Sequence, residues 1–286
     1  MKVDFHVHST ASDGTCAPEE LVSAASDFYA LAITDHDNVD GVEEFLSSPA
    51  PAGLRRIAGI ELSIEPGEGF DKFHLLGIGI DPKNKELIKF LRRILKGRNE
   101  RNEKIIDNFS RIGIDIPAAE IALYAHGEVL ARPHFARWLV DHGYAADVSD
   151  AFSKYLLGDS PLKTRCYESR YHPSQEESFA VIHSAGGLTV MAHPKYWCNA
   201  WKSAGCDFAS AQRALASLKE KGLDALESLY QANSPEENIA FTRIADSLGL
   251  LKTAGSDFHG ANKKAIPLGM DVPDSFIAPF LEALGA

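Results

Sequence analysis

The 286-residue sequence predicts an α/β fold, a small distorted barrel of seven strands broken once by a helical insertion. Three observations carry that prediction. Apolar strand segments alternate with amphipathic helical segments over residues 3–80, and again from 174 onward. Between Lys85 and Gln175 the strand rhythm disappears. Histidine, aspartate or glutamate recurs where a strand runs out, the end at which (β/α) barrels gather their functional groups.

The first strand, 3–8, carries His6 and His8. Residues two apart on a strand share a face, so two imidazoles can stand together while Asp13 returns from the following loop. Taken alone, such a pair also suits a polar strand edge. A helix from about Pro18 to Phe28 follows, with Pro18 in its first turn and Glu19 and Glu20 where the helix dipole favours negative charge. The strand 31–34 runs into Thr34-Asp35-His36-Asp37, and a helix near 39–47 leads to Gly59-Ile60-Glu61. Residues 57–64 and 73–80 both read as strands. Their connection, Glu65 to Lys72, is rich in turn formers and too short for a parallel crossover, so the pair is expected to be an antiparallel hairpin that brings His74 beside Glu61.

The stretch from Lys85 has helical spacing, with breaks at Gly113, Pro117, Gly127, Pro133 and Gly143. Residues 96–174 are therefore expected to be a helical insertion covering the active site, and 1–95 with 175–286 the barrel. After it come a helix at 174–185, a strand at 188–191 ending in Ala192-His193-Pro194, a helix at 209–221 and a strand at 225–229. A helix at 235–248, a strand at 251–255 running into Ser256-Asp257-Phe258-His259, and a final helix from about Ser275 complete the chain.

His6, His8, Asp13, His36, Glu61, His74, His193, Asp257 and His259 thus form one candidate constellation. Nine nitrogen and oxygen donors exceed the needs of one tetrahedral zinc, and no thiolate is among them. Mixed imidazole and carboxylate donors suit two to three divalent ions, Mn, Zn or Fe, in a hydrolytic site.

The HxHxxxxDG run, TDHD, GIE, the His-Pro after a strand and the terminal GSDFH together resemble the PHP (polymerase and histidinol phosphatase) family of metal-dependent phosphoesterases. The likeness spans nearly the whole chain, with the motifs in family order. Within that family, Ala131-Arg132-Pro133-His134-Phe135-Ala136-Arg137, Phe152-Ser153-Lys154-Tyr155-Leu156 and Ala185-Gly186-Gly187 resemble the branch acting on nucleoside 3′,5′-bisphosphates and RNA 5′ ends. The segment Lys163 to Arg170 departs from the plainer apolar sequence expected there. The resemblance implies a PHP-type barrel and three ions. One would be held by His6, His8, Glu61 and Asp257, a second by Glu61, His74 and His193, and a third by Asp13, His36 and His259. It also implies hydrolysis by metal-activated hydroxide, with Asp13, Glu61 and Asp257 acting through the metal centre. The expected substrate is the 3′-phosphate of a nucleoside 3′,5′-bisphosphate or a short 5′-phosphorylated RNA. A sugar cyclic phosphate, such as phosphoribosyl 1,2-cyclic phosphate, is the alternative, then histidinol phosphate; a non-catalytic module would have lost ligands, and here every position is filled.

Composition bounds the partners. At 45% hydrophobic and 24% charged, with no low-complexity tract, the chain can bury one large core. A net charge of −11 excludes a broad duplex-binding surface, yet three carboxylates beside three divalent ions would leave the pocket itself positive. Small phosphorylated molecules or a short single-stranded RNA end fit that field; neither a membrane nor an obligate protein partner is indicated. Cys16, Cys166, Cys198 and Cys206 show no zinc-ribbon spacing, and with no signal-like leader or apolar span a cytoplasmic enzyme is expected.

Arg132 and His134 flank Pro133 at a helix start, where exposed N–H groups favour anions; together with Lys195 they are the candidate phosphate contacts. Arg132 could equally cap or salt-bridge, and a loop lysine such as Lys195 is usually solvated. The basic run Arg92 to Lys104, interspersed with Glu100 and Glu103, reads first as a solvated helix face and second as a basic rim for substrate. His126, His142, His172 and His183 fall outside the clusters and read as ordinary histidines.

Overall fold

The computed structural model describes residues 1–65, 73–125, 129–196 and 208–285. His126, Gly127, Cys198, Cys206 and the 66–72 connection lie outside them. Eight strands form one sheet: β1 (Lys2–Asp4), β2 (Ala30–Ile33), β3 (Arg55–Ile64), β4 (Phe73–Ile78), β5 (Leu188–Met191), β6 (Ala225–Tyr230), β7 (Leu251–Gly255) and β8 (Met270–Asp271). The spatial order is β7-β6-β5-β4-β3-β2-β1-β8. Seven strands were expected. The eighth is a two-residue piece paired antiparallel to β1 through Lys2 with Asp271 and Val3 with Met270, too short to leave a periodicity signal.

Apart from β8 against β1, neighbours pair in parallel except around β4, which is antiparallel to both β3 and β5. The hairpin expected from the short connection is present, with Ser63 opposite His74. The barrel is nearly closed, because the chain beyond β1 meets the end of β7. Phe5 N–H donates to Ala254 C=O at 3.0 Å, Asp257 N–H to His6 C=O at 2.9 Å and His8 N–H to Phe258 C=O at 3.0 Å. The first strand is shorter than the expected 3–8, since regular pairing stops at Asp4 and only Val7 bridges again, to Phe258.

Side chains alternate between two apolar layers, as the two-residue strand period requires. Ala30, Ala32, Leu76, Ile78 and Val190 belong to one, joined by Ile277, Phe280 and Leu281 of the last helix; Phe5 and Phe280 meet edge to face at 5.2 Å. Leu31, Ile33, Ile60, Leu62 and Leu75 belong to the other, against the surrounding helices. After the short helices α1 (Pro18–Ala24) and α2 (Val42–Ser47), a 27-residue helix, α3 (Lys85–Arg111), starts at Asn84, whose side chain accepts from the Glu86 and Leu87 N–H groups. Its first turns pack Leu87, Phe90, Leu91 and Ile94 on the barrel layer, and its last turns pack Ile105 and Phe109 in a third cluster with Ile121, Phe135 and Trp138. The expected 95/96 boundary therefore falls inside one continuous helix. At Gly97 a Cβ would lie 2.7 Å from Tyr171 Cβ, so the glycine lets the 167–172 segment cross tightly over α3. None of the described helices is long and apolar enough to cross a membrane.

Candidate active site

All nine residues of the constellation open at one end of the barrel. His6 and His8 follow β1, His36 follows β2, Glu61 lies within β3, His193 follows β5, and Asp257 and His259 follow β7. Because β4 runs the other way, its beginning, with His74, returns to the same end. Asp37, His193 and Asp257 hold φ values of +54°, +30° and +59°. Such left-handed backbone is uncommon outside glycine, and all three non-glycine instances among the described residues lie in or beside the cluster.

Glu61 is the hub. Its Oε2 lies 3.3 Å from His6 Nε2, 3.1 Å from His8 Nε2 and 3.0 Å from His36 Nδ1, while Oε1 lies 2.8 Å from His74 Nδ1 and 3.1 Å from His193 Nε2. Asp257 Oδ1 sits 3.4 Å from His8 Nε2 and 3.7 Å from His6 Nε2. Asp13 Oδ1 is 3.2 Å from His259 Nε2, and its Oδ2 is 3.9 Å from His36 Nε2. Donor atoms bound at ~2.1 Å to a common ion sit ~3.0–3.4 Å apart, so these spacings are those of a ligand shell. Four overlapping sets have donors within 4.8 Å of one another: His8, Asp13, His36 and His259; His6, Glu61 and His193; His6, His8 and Asp257; His36, Glu61 and His74.

The chemistry of these atoms fits divalent cations. His6 Nε2, both nitrogens of His8, Asp13 Oδ1, His36 Nδ1 and Glu61 Oε2 are buried with no hydrogen-bond partner, a cost that a native interior tolerates only where another partner binds. Burial opposes the charge on Glu61, but His36, His6 and His74 override it and hold the carboxyl well below its usual range. Burial likewise yields to His36 and His259 at Asp13, and to His6 and His8 at Asp257. His6 is in turn raised well above its ordinary value, burial being outweighed by Glu227, Glu61 and Asp257, whereas burial pushes His74 down to about 4. Protons on His6, His8 and His36, all raised because burial is outweighed by neighbouring carboxylates, thus do part of what a cation would do, and a bound cation would displace them.

A second charged group shares the opening. One cavity, of about 290 Å³, is lined by Asp13, His36 and His74 at one side and by Arg98, Arg101, Arg132 and Arg170 at the other. The basic run on α3 divides: Arg92, Arg93 and Lys96 are exposed as the first reading expected, but Arg98 and Arg101 are buried and line this cavity. Arg98 and Arg170 both pair with the buried Asp37, Arg170 Nη2 at 2.8 Å. Arg101 Nη2 has no partner. Burial, with Arg98, Arg132 and Arg170 nearby, pushes Arg101 down to about 8, the response of a cation that lacks an anion. Tyr167 and Arg170 come from the divergent 163–170 segment, and His172, read as ordinary, also lines the cavity.

The three phosphate candidates are placed differently. Arg132 lines the cavity, donating one N–H to Leu156 C=O at 3.1 Å. His134 is buried and its Nδ1 accepts the Ala131 N–H at 3.1 Å, in a capping arrangement at the helix start. Lys195 Nζ bonds Ala232 C=O at 2.5 Å and pairs with Glu237 at 3.1 Å.

Several residues that hold the constellation were not singled out from sequence. Glu227 binds His6 and the His193 backbone, Tyr230 and Lys263 bind Asp257 Oδ2 at 3.0 and 2.6 Å, and Asp4 accepts from His6 N–H and Ser256. Each is a lone polar residue in or near an apolar strand or short turn, and gives no spacing signal.

A PHP domain model matches residues 4–130. The chain is 31% identical to a 3′,5′-nucleoside bisphosphate phosphatase of Chromobacterium violaceum, over 93% of this chain and 90% of that protein. It is 32% identical to the 5′-3′ exoribonuclease Rnm of Escherichia coli, over 90% of this chain and 84% of that one. A solved Chromobacterium violaceum structure, described as an amidohydrolase with bound sulfate and no metal, aligns with a TM-score of 0.84 at 30% identity. That alignment covers 99% of this chain and 97% of the other.

Proposed function

The chain belongs to the PHP family, and from that premise we propose that it removes the 3′-phosphate of a nucleoside 3′,5′-bisphosphate or acts at the 5′-phosphorylated end of a short single-stranded RNA. The broader class is plain: it is a metal-dependent phosphoesterase, a hydrolase of phosphoric ester bonds. One observation carries the finer reading. The cavity that reaches the histidine and carboxylate cluster also reaches four arginines, so a substrate with two anionic groups can satisfy both ends at once.

His6, His8 and Asp257 with Glu61, Glu61 with His74 and His193, and Asp13 with His36 and His259 would hold the ions. Bound divalent ions supply Lewis acidity and charge neutralisation at the scissile phosphate. Glu61 turns its two oxygens to different imidazoles, which suits it to bridge two ion positions. At the far side Arg101 offers an unpartnered N–H to the second anion, and Arg132 stands beside it. Phe152 and Tyr167 line the same space, and the Arg132 guanidinium lies over both rings, 5.9 and 5.3 Å from their centroids, which helps to hold it at the cavity. The 96–174 segment, which supplies all four arginines and both rings, is in this reading the part that covers the site and selects the substrate. A cytoplasmic location rests on the thiols, since Cys16 and Cys166 are free.

The test is turnover by the Mn-loaded protein of a nucleoside 3′,5′-bisphosphate, short 5′-phosphorylated RNA, a sugar cyclic phosphate and histidinol phosphate, read as released mononucleotide for the RNA and as inorganic phosphate for the others. Turnover of either of the first two above the others is expected. Preference for the cyclic phosphate or for histidinol phosphate would overturn the finer reading and leave the class intact.

A further inference from the structure

Strand β6 contributes none of the nine donors, yet it carries two acidic or phenolic side chains into the site. Register explains how. Glu227 pairs with Thr253 and Tyr230 with Gly255, while a bulge separates Glu227 from Leu229. Thr253 and Gly255 are two apart on β7 and share a face, so their partners share it too, although residues three apart on a regular strand would not. The bulge therefore turns both Glu227 and Tyr230 toward the ligands. Space is made for the carboxylate by Gly255, where a Cβ would collide with Glu227 Oε1 and His6 Cβ.

Glu227 is fully buried and both of its oxygens are used. Oε1 lies 2.9 Å from His6 Nδ1, and Oε2 accepts the His193 N–H at 2.5 Å. His193 is one of the residues with left-handed backbone, at φ +30°, so this bond holds a conformation that a non-glycine residue rarely adopts unaided. In the neutral ring that a metal needs, a proton on His6 Nδ1, donated to Glu227, leaves Nε2 bare, and Nε2 is the atom that faces Glu61 and Asp257. We propose that Glu227 is a positioning residue for the ion positions built on His6 and His193, one carboxylate setting the tautomer of the first and the backbone of the second. The proposal rests on the metal-centre reading above. Tyr230 supports the same ions from the next turn of the strand, donating to Asp257 Oδ2 and leaving Oδ1 toward His6 and His8.

Glu227→Gln is the sharp variant because a carboxylate has two accepting oxygens and a carboxamide one, its other end being a donor. If the amide oxygen stays with His193 N–H, the amide NH₂ faces His6 Nδ1, and the imidazole proton must move to Nε2. If the amide is reversed, two donors oppose each other at His193. Mn content per chain and Mn affinity would be measured by equilibrium dialysis for the wild type, Glu227→Gln and Glu227→Ala. The His6 tautomer would be read by nitrogen NMR on the metal-free proteins at a pH above the His6 titration, where the ring keeps a single proton, and folding checked by circular dichroism. Both variants are expected to fold and to bind Mn ~10–100-fold more weakly at the His6 and His193 positions. The ion on Asp13, His36 and His259 should be kept, and the His6 proton should move off Nδ1 in the glutamine variant. Unchanged affinities would overturn the proposal, as would equal loss of every ion, or an unchanged His6 tautomer together with an unweakened His193 position. A wild type that binds no Mn would instead overturn the metal-centre reading, while the metal-free tautomer would still report whether Glu227 sets His6.

Discussion

Asp37 is the buried anion that joins the insertion to the barrel, and its removal gives a prediction that needs no substrate. Its side chain is 0% exposed and those of Arg98 and Arg170 are 6% and 8% exposed. Oδ2 accepts from Arg98 Nε at 3.0 Å, from Arg98 Nη2 and from Arg170 Nη2 at 2.8 Å, and Oδ1 from Ser63 N–H at 2.9 Å. Asp37→Asn keeps the shape, and asparagine tolerates the φ of +54°, so the change is electrostatic. It leaves two buried guanidiniums without their counter-charge, and breaking a buried pair from one side costs about 3–5 kcal/mol. For 286 residues the unfolding entropy is roughly 0.6 kcal/mol/K, so Tm should fall by about 5–8 °C. Thermal and urea denaturation of the metal-free protein would measure it. Burial raises the Asp37 carboxyl, but Arg170 and Arg98 override that and hold it below its usual range. The wild type therefore keeps this stabilisation above about pH 3.9 and loses it as pH falls toward the folded-state value, an acid limb that the variant lacks. Adding Arg98→Met should restore part of the loss. A loss under about 1 kcal/mol would refute the claim that this triad is a dry, coupled junction.

Glu61→Gln should lower turnover by several kcal/mol and reduce bound metal, since a hub that faces five imidazoles is altered; normal metal content with normal turnover would remove it from the centre. Arg101→Met should lower kcat/KM for a bisphosphate by about 1.5–3 kcal/mol, or roughly 10–150-fold, mainly through KM, and barely change it for a monophosphate. The same variant should be no less stable than the wild type in denaturation, because it removes an unpaired buried cation beside like charges. Burial and then Arg170 push His172 down to about 4 from 6.5, so the folded state favours the neutral ring and the unfolded chain takes up the proton first. Stability should accordingly fall as pH drops from about 6.5 toward 4, and His172→Gln should flatten that fall in urea titrations at pH 7 and 5.

The barrel was legible because its signals are local. Strands 188–191 and 251–255 and the helix 235–248 have the bounds read from periodicity, and each donor pair sits where a strand ends. His74 could be placed from chain length alone, as eight connecting residues cannot cross over. What escaped is what depends on partners distant in sequence. Arg98 is buried because Asp37 lies 61 residues away, and Arg170 because the same carboxylate lies 133 away, so neither charge could be told from a solvated one. Glu227 reads as one charged residue in Ala225–Tyr230, and only a bulge in the pairing shows that it and Tyr230 face the same way. Lys195 illustrates the reverse, a loop cation beside a ligand whose charge is taken by Glu237.

The central claim, that the cluster around Glu61 is a multinuclear metal centre at which phosphate esters are cleaved, is tested most directly by measuring metal content and phosphate release in the same samples. Elemental analysis of the purified protein should find two to three divalent ions per chain. Chelation should remove them and abolish phosphate release from a nucleoside 3′,5′-bisphosphate, and Mn should restore both together. Phosphate release that persists in metal-free protein, or a chain that takes up fewer than two ions at saturating Mn, would contradict the account.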